Sequence, residues 1–396
     1  MPGKKKLLII TNRFYPQIGG AELNIFYQAQ ELSKHFYVDV LTPIRDKDRR
    51  RESTSDMSIL RARNLRNPFN RFPYLSSRTL CPSVATRVFL GKYDVIHCFP
   101  ALNHNNMIAL FLARLKGTPI FLSNFDAFDY ADLLNKGMHL TQFANLSLSQ
   151  RQTYSLSKFN AIFTISQKET SLLRMANPNT FLSTVPINLD EYTKEVDVEE
   201  LRKSLGIVES QKVILCLSRV SYIKGQDILL KTVPELKKKL ENFVVVFVGR
   251  VDYEPDFFNE MKTFVRANGL EKNVIFTGPL SRDNVLAALR MCDVHVLPMR
   301  FMNSGAINSE TWASGNPIIQ SRSVDPNYVE EGVNGFTFDV GDNASLIDKI
   351  LQILNNPELG RQMGENGKKL AMEKFTYPYL IKQYIDAYHI HGGIDL

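Results

Sequence analysis

The chain has 396 residues, enough for two domains of ordinary size, each with its own core. Its 44% apolar and 22% charged content is that of a soluble globular protein, and no apolar run approaches the roughly 18 residues of a membrane span. The formal net charge of +7 is unevenly divided: 24 basic against 13 acidic residues give +11 over residues 1–190, and 24 against 28 give −4 over the rest. A basic first half points either to an anionic partner (a phosphate-bearing lipid, a membrane surface or nucleic acid) or to a merely solvated surface. Cys81, Cys98, Cys216 and Cys292 are scattered without a metal spacing and fit buried free thiols in a reducing compartment.

At the start of the chain, Lys4, Lys5 and Lys6 precede an apolar run that polar Thr11 and Asn12 close. This pattern predicts a first strand rather than a signal peptide. Strands are predicted over 7–11, 37–41, 94–98, 120–123 and 161–166, then over 213–218, 244–249, 274–278, 294–297 and 317–321. Helical patterns alternate with them, which means parallel sheets built of βαβ units. Several strands are almost wholly apolar, as expected where helices cover both faces. The series restarts near Val213 after a polar, charged stretch at 190–211, so the domain boundary is placed near 187–191. The expected fold class is α/β, with two Rossmann-like domains whose parallel sheets face each other across a cleft. Ligands then bind at the carboxyl ends of the strands. Leu380, Ile381, Tyr384, Ile385 and Tyr388 recur at helical spacing, with Thr376 able to cap that last helix and Tyr377-Pro378 opening it.

Three segments carry chemistry. After the first strand, Gly19-Gly20 precedes a helix expected from about Ala21. Paired glycines let a ligand approach the backbone at a helix N-terminus, where free N–H groups favour an anion; a tight turn reads equally well from these residues. The pattern is not the Gly-x-Gly-x-x-Gly of a dinucleotide site. Arg219 and Lys224 follow the strand at 213–218, with Gly225 next. Two cations in one loop can neutralise a diphosphate and stabilise its departure, although two solvated surface charges would look alike. Glu310 closes the run Asn303-Ser304-Gly305-Ala306-Ile307-Asn308-Ser309. The backbone N–H groups of that turn could hold a sugar or phosphate, and the carboxylate could accept from ribose hydroxyls or simply face its own helix dipole.

In these motifs, and in Pro16-x-x-Gly19-Gly20-x-Glu22, Phe276-Thr277-Gly278, Glu310-Thr-Trp-Ala-Ser-Gly-Asn-Pro-Ile, Val333-Asn334-Gly335-Phe336 and Asp342-Asn343-Ala344, the chain resembles glycosyltransferase family 4, of the GT-B fold. The resemblance runs nearly full length and is most specific in the second half. It implies an N-terminal acceptor domain (1–187), a C-terminal donor domain (188–375) and a helix at 376–396 that crosses back to the first domain. It also implies retaining transfer from a nucleotide-diphosphate sugar, without metal or other cofactor, to a glycan or lipid-linked acceptor. Carried over by position, Gly19 and Gly20 approach the donor phosphate and Arg219 and Lys224 bind the diphosphate. Gly278, Pro279 and Leu280 lie near the base and Glu310 binds the ribose; Asn303, Ser304, Gly305 and Ala306, whose turn could hold a sugar or phosphate, are further donor-binding candidates.

Two positions depart from the pattern. Met302 stands where the family's first Glu touches the donor sugar, and Phe125 stands where a His supports the reacting centre. Asp126 and Asp129 remain to hold an acceptor hydroxyl or the sugar. Met cannot accept a strong hydrogen bond, so altered sugar choice or weak activity is expected. The rival is a non-catalytic GT-B protein that binds a nucleotide or glycan or supports a partner; a GT-B epimerase fits the Glu310 segment less well. Arg66, Phe69, Arg71, Phe72 and Tyr74 interleave cations and aromatics, as a loop on anionic lipid or an acceptor would, or as a loop packed by its own rings. Asp46-Lys47-Asp48 lies in a basic loop unsuited to a metal role. Nucleic acid is the weakest partner, since no recognised module accompanies the charge. The expected setting is the cytoplasm, at the inner face of a membrane, and nothing in the residues fixes an oligomeric state.

Overall fold

The computed structural model describes residues 4–12, 14–16, 20–44, 51–53, 57–63, 65–66, 79–100, 103–124, 150–301, 306–325 and 328–395. The chain divides into two compact units, Met1–Thr184 with Tyr377–Leu396, and Val185–Thr376. The sequence reading had placed these joints at 187/188 and 375/376.

In the first unit, β1 (Lys6–Thr11), β2 (Tyr37–Pro43), β3 (Arg51–Ser53), β4 (Met57–Ala62), β7 (Val95–Phe99), β8 (Ile120–Asn124), β9 (Ala161–Thr164) and β10 (Thr180–Leu182) form one sheet. Its order is β10-β9-β8-β7-β1-β2-β4-β3, parallel except where β3 meets β4. β5 (Leu65–Arg66) and β6 (Thr79–Leu80) make a separate antiparallel pair. Strands such as Val-Ile-His-Cys-Phe are buried along their whole length because helices lie on both faces. The sequence reading missed β3, β4 and β10; the first and last are three residues long, too short for a pattern to register.

The last helix, Tyr377–Gly392, belongs to the first unit. Its Leu380, Ile381, Tyr384 and Tyr388 are buried with Phe36, Phe99, Phe121 and Phe163. A dry hydrogen-bond chain fixes it there: Tyr384 Oη donates to Gln28 Oε1 at 3.0 Å and pairs with Ser123 Oγ at 2.8 Å. Ser123 lies 2.9 Å from His97 Nε2, and His97 Nδ1 meets Tyr388 Oη. His97 is therefore a core group, and burial holds its pKa down at about 3.

The second unit carries β11 (Lys212–Leu217), β12 (Phe243–Val248), β13 (Val274–Gly278), β14 (Val294–Leu297), β15 (Ile318–Ser321) and β16 (Gly335–Phe338). All pair in parallel, in the order β13-β12-β11-β14-β15-β16. This is the doubly wound order in which the chain direction across the sheet reverses between β11 and β14, and such a reversal opens a crevice beyond the strand ends. His295 on β14 is buried, and its Nε2 accepts from the Leu217 N–H at 3.1 Å. Nδ1 must then carry the proton, which it donates to Thr311 Oγ1 at 2.6 Å; the Thr311 hydroxyl donates in turn to Ile307 O at 2.7 Å. One neutral ring thus joins the end of β11 to the helix Ile307–Ala313. That helix is pressed against the helix Pro357–Lys374, where a Cβ on Gly367 would lie 2.1 Å from the Trp312 ring.

Burial also holds His295 at about 3. Each unit therefore contains one histidine that stays neutral when folded but takes a proton near pH 6.5 when unfolded. The unfolded chain binds more protons between those values, so stability is full above pH 6.5 and is lost as pH falls toward 3. Each unit should lose about 2 kcal/mol between pH 7.5 and pH 5 from its histidine alone. Urea midpoints that do not move over that range would mean that the rings are protonated in the folded state.

Candidate active site

The crevice of the second unit is built first by the turn after β11. Gly225 takes a left-handed conformation (φ 72°), and a Cβ there would lie 2.0 Å from Pro298 O, so only glycine lets this turn close against the end of β14. The buried Gln226 amide shapes the loop, donating to Ser218 Oγ at 2.7 Å and to Arg219 O at 2.9 Å. Arg219 and Lys224 are thereby held together. Arg219 lays its guanidinium over the half-exposed Tyr253 ring, 4.0 Å from the centroid, which leaves its in-plane donors uncommitted to a carboxylate.

Lys224 is half-buried, on a short 3-10 turn (Tyr222–Lys224), and its ammonium lies 3.8 Å from Met299 Sδ. A thioether is a weak acceptor. Burial first, and then repulsion from Arg219, lower the Lys224 pKa to about 8. Among the described residues no carboxylate pairs with either cation. Two adjacent cations, one withdrawn from water, are the electrostatic complement of a diphosphate.

The other strand ends supply neutral and acidic groups. Gly278 ends β13 in a left-handed conformation and its carbonyl accepts from Gly249 N at 3.0 Å. Pro279 after it is exposed, while half-buried Leu280 packs on the core. Ala306 precedes the helix Ile307–Ala313 and accepts from Glu310 N at 2.8 Å. Glu310 is half-buried, and Arg282 Nη1 donates to its Oε1 at 2.8 Å. After β14, Arg300 grips both oxygens of Asp227 at 2.7 Å, donates to Tyr222 O at 2.7 Å and lies over the Tyr222 ring. The chain thus enters segment 302–305 from a residue tied to the cationic turn.

Arg219, Lys224, Gly278, Pro279, Leu280, Ala306 and Glu310 all belong to this one edge of the second sheet. Gly20 is in the first unit, at the first position of the helix Gly20–Ser33, one residue before the expected start; a Cβ there would meet nothing within 4 Å, so no described contact demands a glycine. Arg66 lies on β5, opposite Thr79. Gly19, Arg71, Phe125, Asp126, Asp129, Met302, Asn303, Ser304 and Gly305, and the Asp46-Lys47-Asp48 segment, fall outside the described residues. The sequence reading did not find Tyr253, Arg282, His295 or the Asp227–Arg300 pair. The one available signal was the density of Arg and Tyr just beyond strand ends. Among the described residues no helix is long and apolar enough to cross a membrane.

Residues 197–370, within the second unit, match the family described as Glycosyl transferases group 1. The chain is 31% identical over 222 residues to N-acetyl-alpha-D-glucosaminyl L-malate synthase of Bacillus anthracis, covering 54% of this chain and 55% of that one. It is 25% identical over 211 residues to a GDP-mannose-dependent alpha-(1-6)-phosphatidylinositol monomannoside mannosyltransferase of Mycolicibacterium smegmatis, covering 50% and 54%. The matches therefore span about half the length of these curated relatives. The crystal structure of Anabaena HepE in complex with UDP shares the fold at a TM-score of 0.72 and 19% identity, over 96% of this chain and 98% of that one. The fold is GT-B, as the resemblance implied.

Lys224 is mostly protonated at neutral pH and loses its proton as pH rises through about 8, unless a bound anion holds the charge. Affinity for a nucleoside diphosphate should fall as pH rises from 7.5 to 9, approaching tenfold per pH unit above the pKa. Lys224→Met should bind more weakly at pH 7.5 and show no such fall. Titration calorimetry reads both, and a flat wild-type profile would place Lys224 outside the phosphate site.

Proposed function

We propose that the protein is a glycosyltransferase that takes a sugar from a nucleotide-diphosphate donor held by the second unit. The observation that carries this reading is the Arg219–Lys224 pair, two cations without a carboxylate partner among the described residues, at the reversal point of a doubly wound sheet. When the glycosidic bond to the diphosphate breaks, negative charge grows on the leaving oxygen. Fixed cations beside that oxygen stabilise the transition state more than the ground state. Glu310 binds the ribose and the Gly278–Leu280 backbone borders the base. The acceptor is a glycan or lipid-linked glycan held by the basic first unit, with Asp126 and Asp129 as its hydroxyl partners and Arg66 and Arg71 as phosphate partners. The reaction retains the anomeric configuration, moves a hexose, needs no metal, and takes place in the cytoplasm at the inner face of a membrane.

What supports these finer points is the family resemblance, the charge division and the names of the relatives, one of which uses GDP-mannose while the HepE crystal contains UDP. A thermal-shift panel of UDP, GDP, ADP and their sugar conjugates should show stabilisation by one nucleotide class. Arg219→Ala and Lys224→Ala should each weaken binding or turnover of that donor by about 1–3 kcal/mol. Transfer should persist in EDTA, and the product anomer, read by NMR, should match the donor. If no nucleotide shifts the midpoint, the non-catalytic reading takes over, which Met302 and Phe125 favour. Met302→Glu separates the two cases: it should restore activity to a decayed site and impair a re-specialised one.

A further inference from the structure

The Arg282 guanidinium uses all three of its nitrogens. Nε donates to Glu191 Oε2 at 2.8 Å, Nη1 to Glu310 Oε1 at 2.8 Å and Nη2 to Tyr192 Oη at 2.9 Å. Glu191 and Tyr192 lie on a one-turn helix, Asp190–Thr193, at the start of the second unit. Arg290, two turns along from Arg282 on the helix Arg282–Met291, fixes that turn by donating to Tyr192 O at 2.8 Å and to Lys194 O at 2.5 Å. The fork is thus held on two sides by groups that face no ligand, and its third edge is aimed at the carboxylate. Surface ion pairs with long free side chains contribute little, but a planar fork pinned by three partners loses little freedom when it makes each bond.

The geometry points to Arg282 as the positioning residue for Glu310: it fixes the carboxylate in the orientation that recognises the ribose hydroxyls of the donor nucleotide. This rests on the nucleotide-sugar reading of the same site. A carboxylate offers about four acceptor directions. The Arg282 bond and a contact with the Tyr192 hydroxyl take two of these directions, leaving acceptor capacity for two neighbouring hydroxyls. Arg282 also follows Gly278, Pro279 and Leu280 by two residues, with Ser281 between them capping its helix, so the loop assigned to the base and the carboxylate assigned to the ribose are joined through it. It touches no substrate in this role. Glu191 and Tyr192 act one step further back, by orienting the guanidinium.

The test compares UDP, GDP and ADP with their 2′-deoxy forms by titration calorimetry on the full chain. The wild-type protein should prefer the ribose form of its nucleotide by about tenfold or more, the value of a hydrogen bond to a charged acceptor. In Arg282→Ala that ratio should fall toward one while the urea midpoint stays close to wild type. Arg282→Lys keeps the charge without the fork, and serves the same comparison should the alanine variant misfold. Glu310→Ala should lose the ratio too, and adding Arg282→Ala to it should change affinity no further. An undiminished ratio in Arg282→Ala and Arg282→Lys, with the wild type binding normally, overturns this inference alone. So does a further loss in the double variant, since Arg282 would then meet the nucleotide itself. No binding of any of the six nucleotides by the wild type overturns the reading of the site and this inference with it.

Discussion

Two cations side by side repel each other, and the second unit places them in one turn. Arg219 leaves β11 directly, and Lys224 is drawn back under it by a turn that closes only because Gly225 has no Cβ to strike Pro298. Arg219 remains exposed, with its guanidinium stacked on Tyr253, while the half-buried Lys224 holds its ammonium beside a thioether. The arrangement costs stability in the empty protein, and an anion of two phosphates relieves it. Such a cost persists where the fold around it is over-determined, and here the continuous apolar strands β11, β12 and β14 supply that fold.

The acidic side of the crevice answers the basic side through the sheet itself. His295 spans from the Leu217 N–H, two residues before Arg219, to Thr311, one residue after Glu310. A buried ring that must be a donor at one nitrogen and an acceptor at the other leaves one tautomer and one orientation. A rigid imidazole therefore ties the end of β11, from which the Arg219 turn leaves, to the helix that carries Glu310. The Arg300–Asp227 pair does the same for the segment after β14, tying it to the first turn of the helix Gln226–Lys239.

These features were not equally legible in the sequence. The parallel strands announced themselves because both faces are covered, so whole segments such as Val213 to Leu217 are apolar and bounded by polar turns. Arg219-x4-Lys224-Gly225 was readable because a glycine after two cations marks a shaped turn. Apart from the six-residue β4, what escaped was either too short or too distant. β3 and β10 have three residues each, and β16 has four, Gly-Phe-Thr-Phe. Arg282 meets Glu310 across 28 residues and Glu191 across 91, and no local spacing can encode a pairing that only the folded sheet creates. Glu310 was read as a ligand-facing or dipole-facing acid; its ion pair was invisible for the same reason. His295, lodged inside an apolar strand, resembles any satisfied core histidine until its two partners are seen.

The Arg282–Glu310 pair also resolves an electrostatic conflict within the site. A bare carboxylate at the edge of a crevice that receives a diphosphate would repel part of what Arg219 and Lys224 attract, and in a partly desolvated crevice that repulsion is poorly screened. Pairing Glu310 with Arg282 removes most of its charge at a distance but leaves lone pairs for short-range acceptance. Glu191, on the far edge of the same guanidinium, keeps Arg282 from acting as a third cation that could bind the phosphates in the wrong register. The Glu191–Arg282–Glu310 cluster keeps a net charge of −1, so the positive charge stays at the turn after β11 and the opposite wall offers oriented acceptors. The proposed donor shows the same division between adjacent parts: its central diphosphate carries the negative charge, and the ribose bonded to it offers directional hydroxyls.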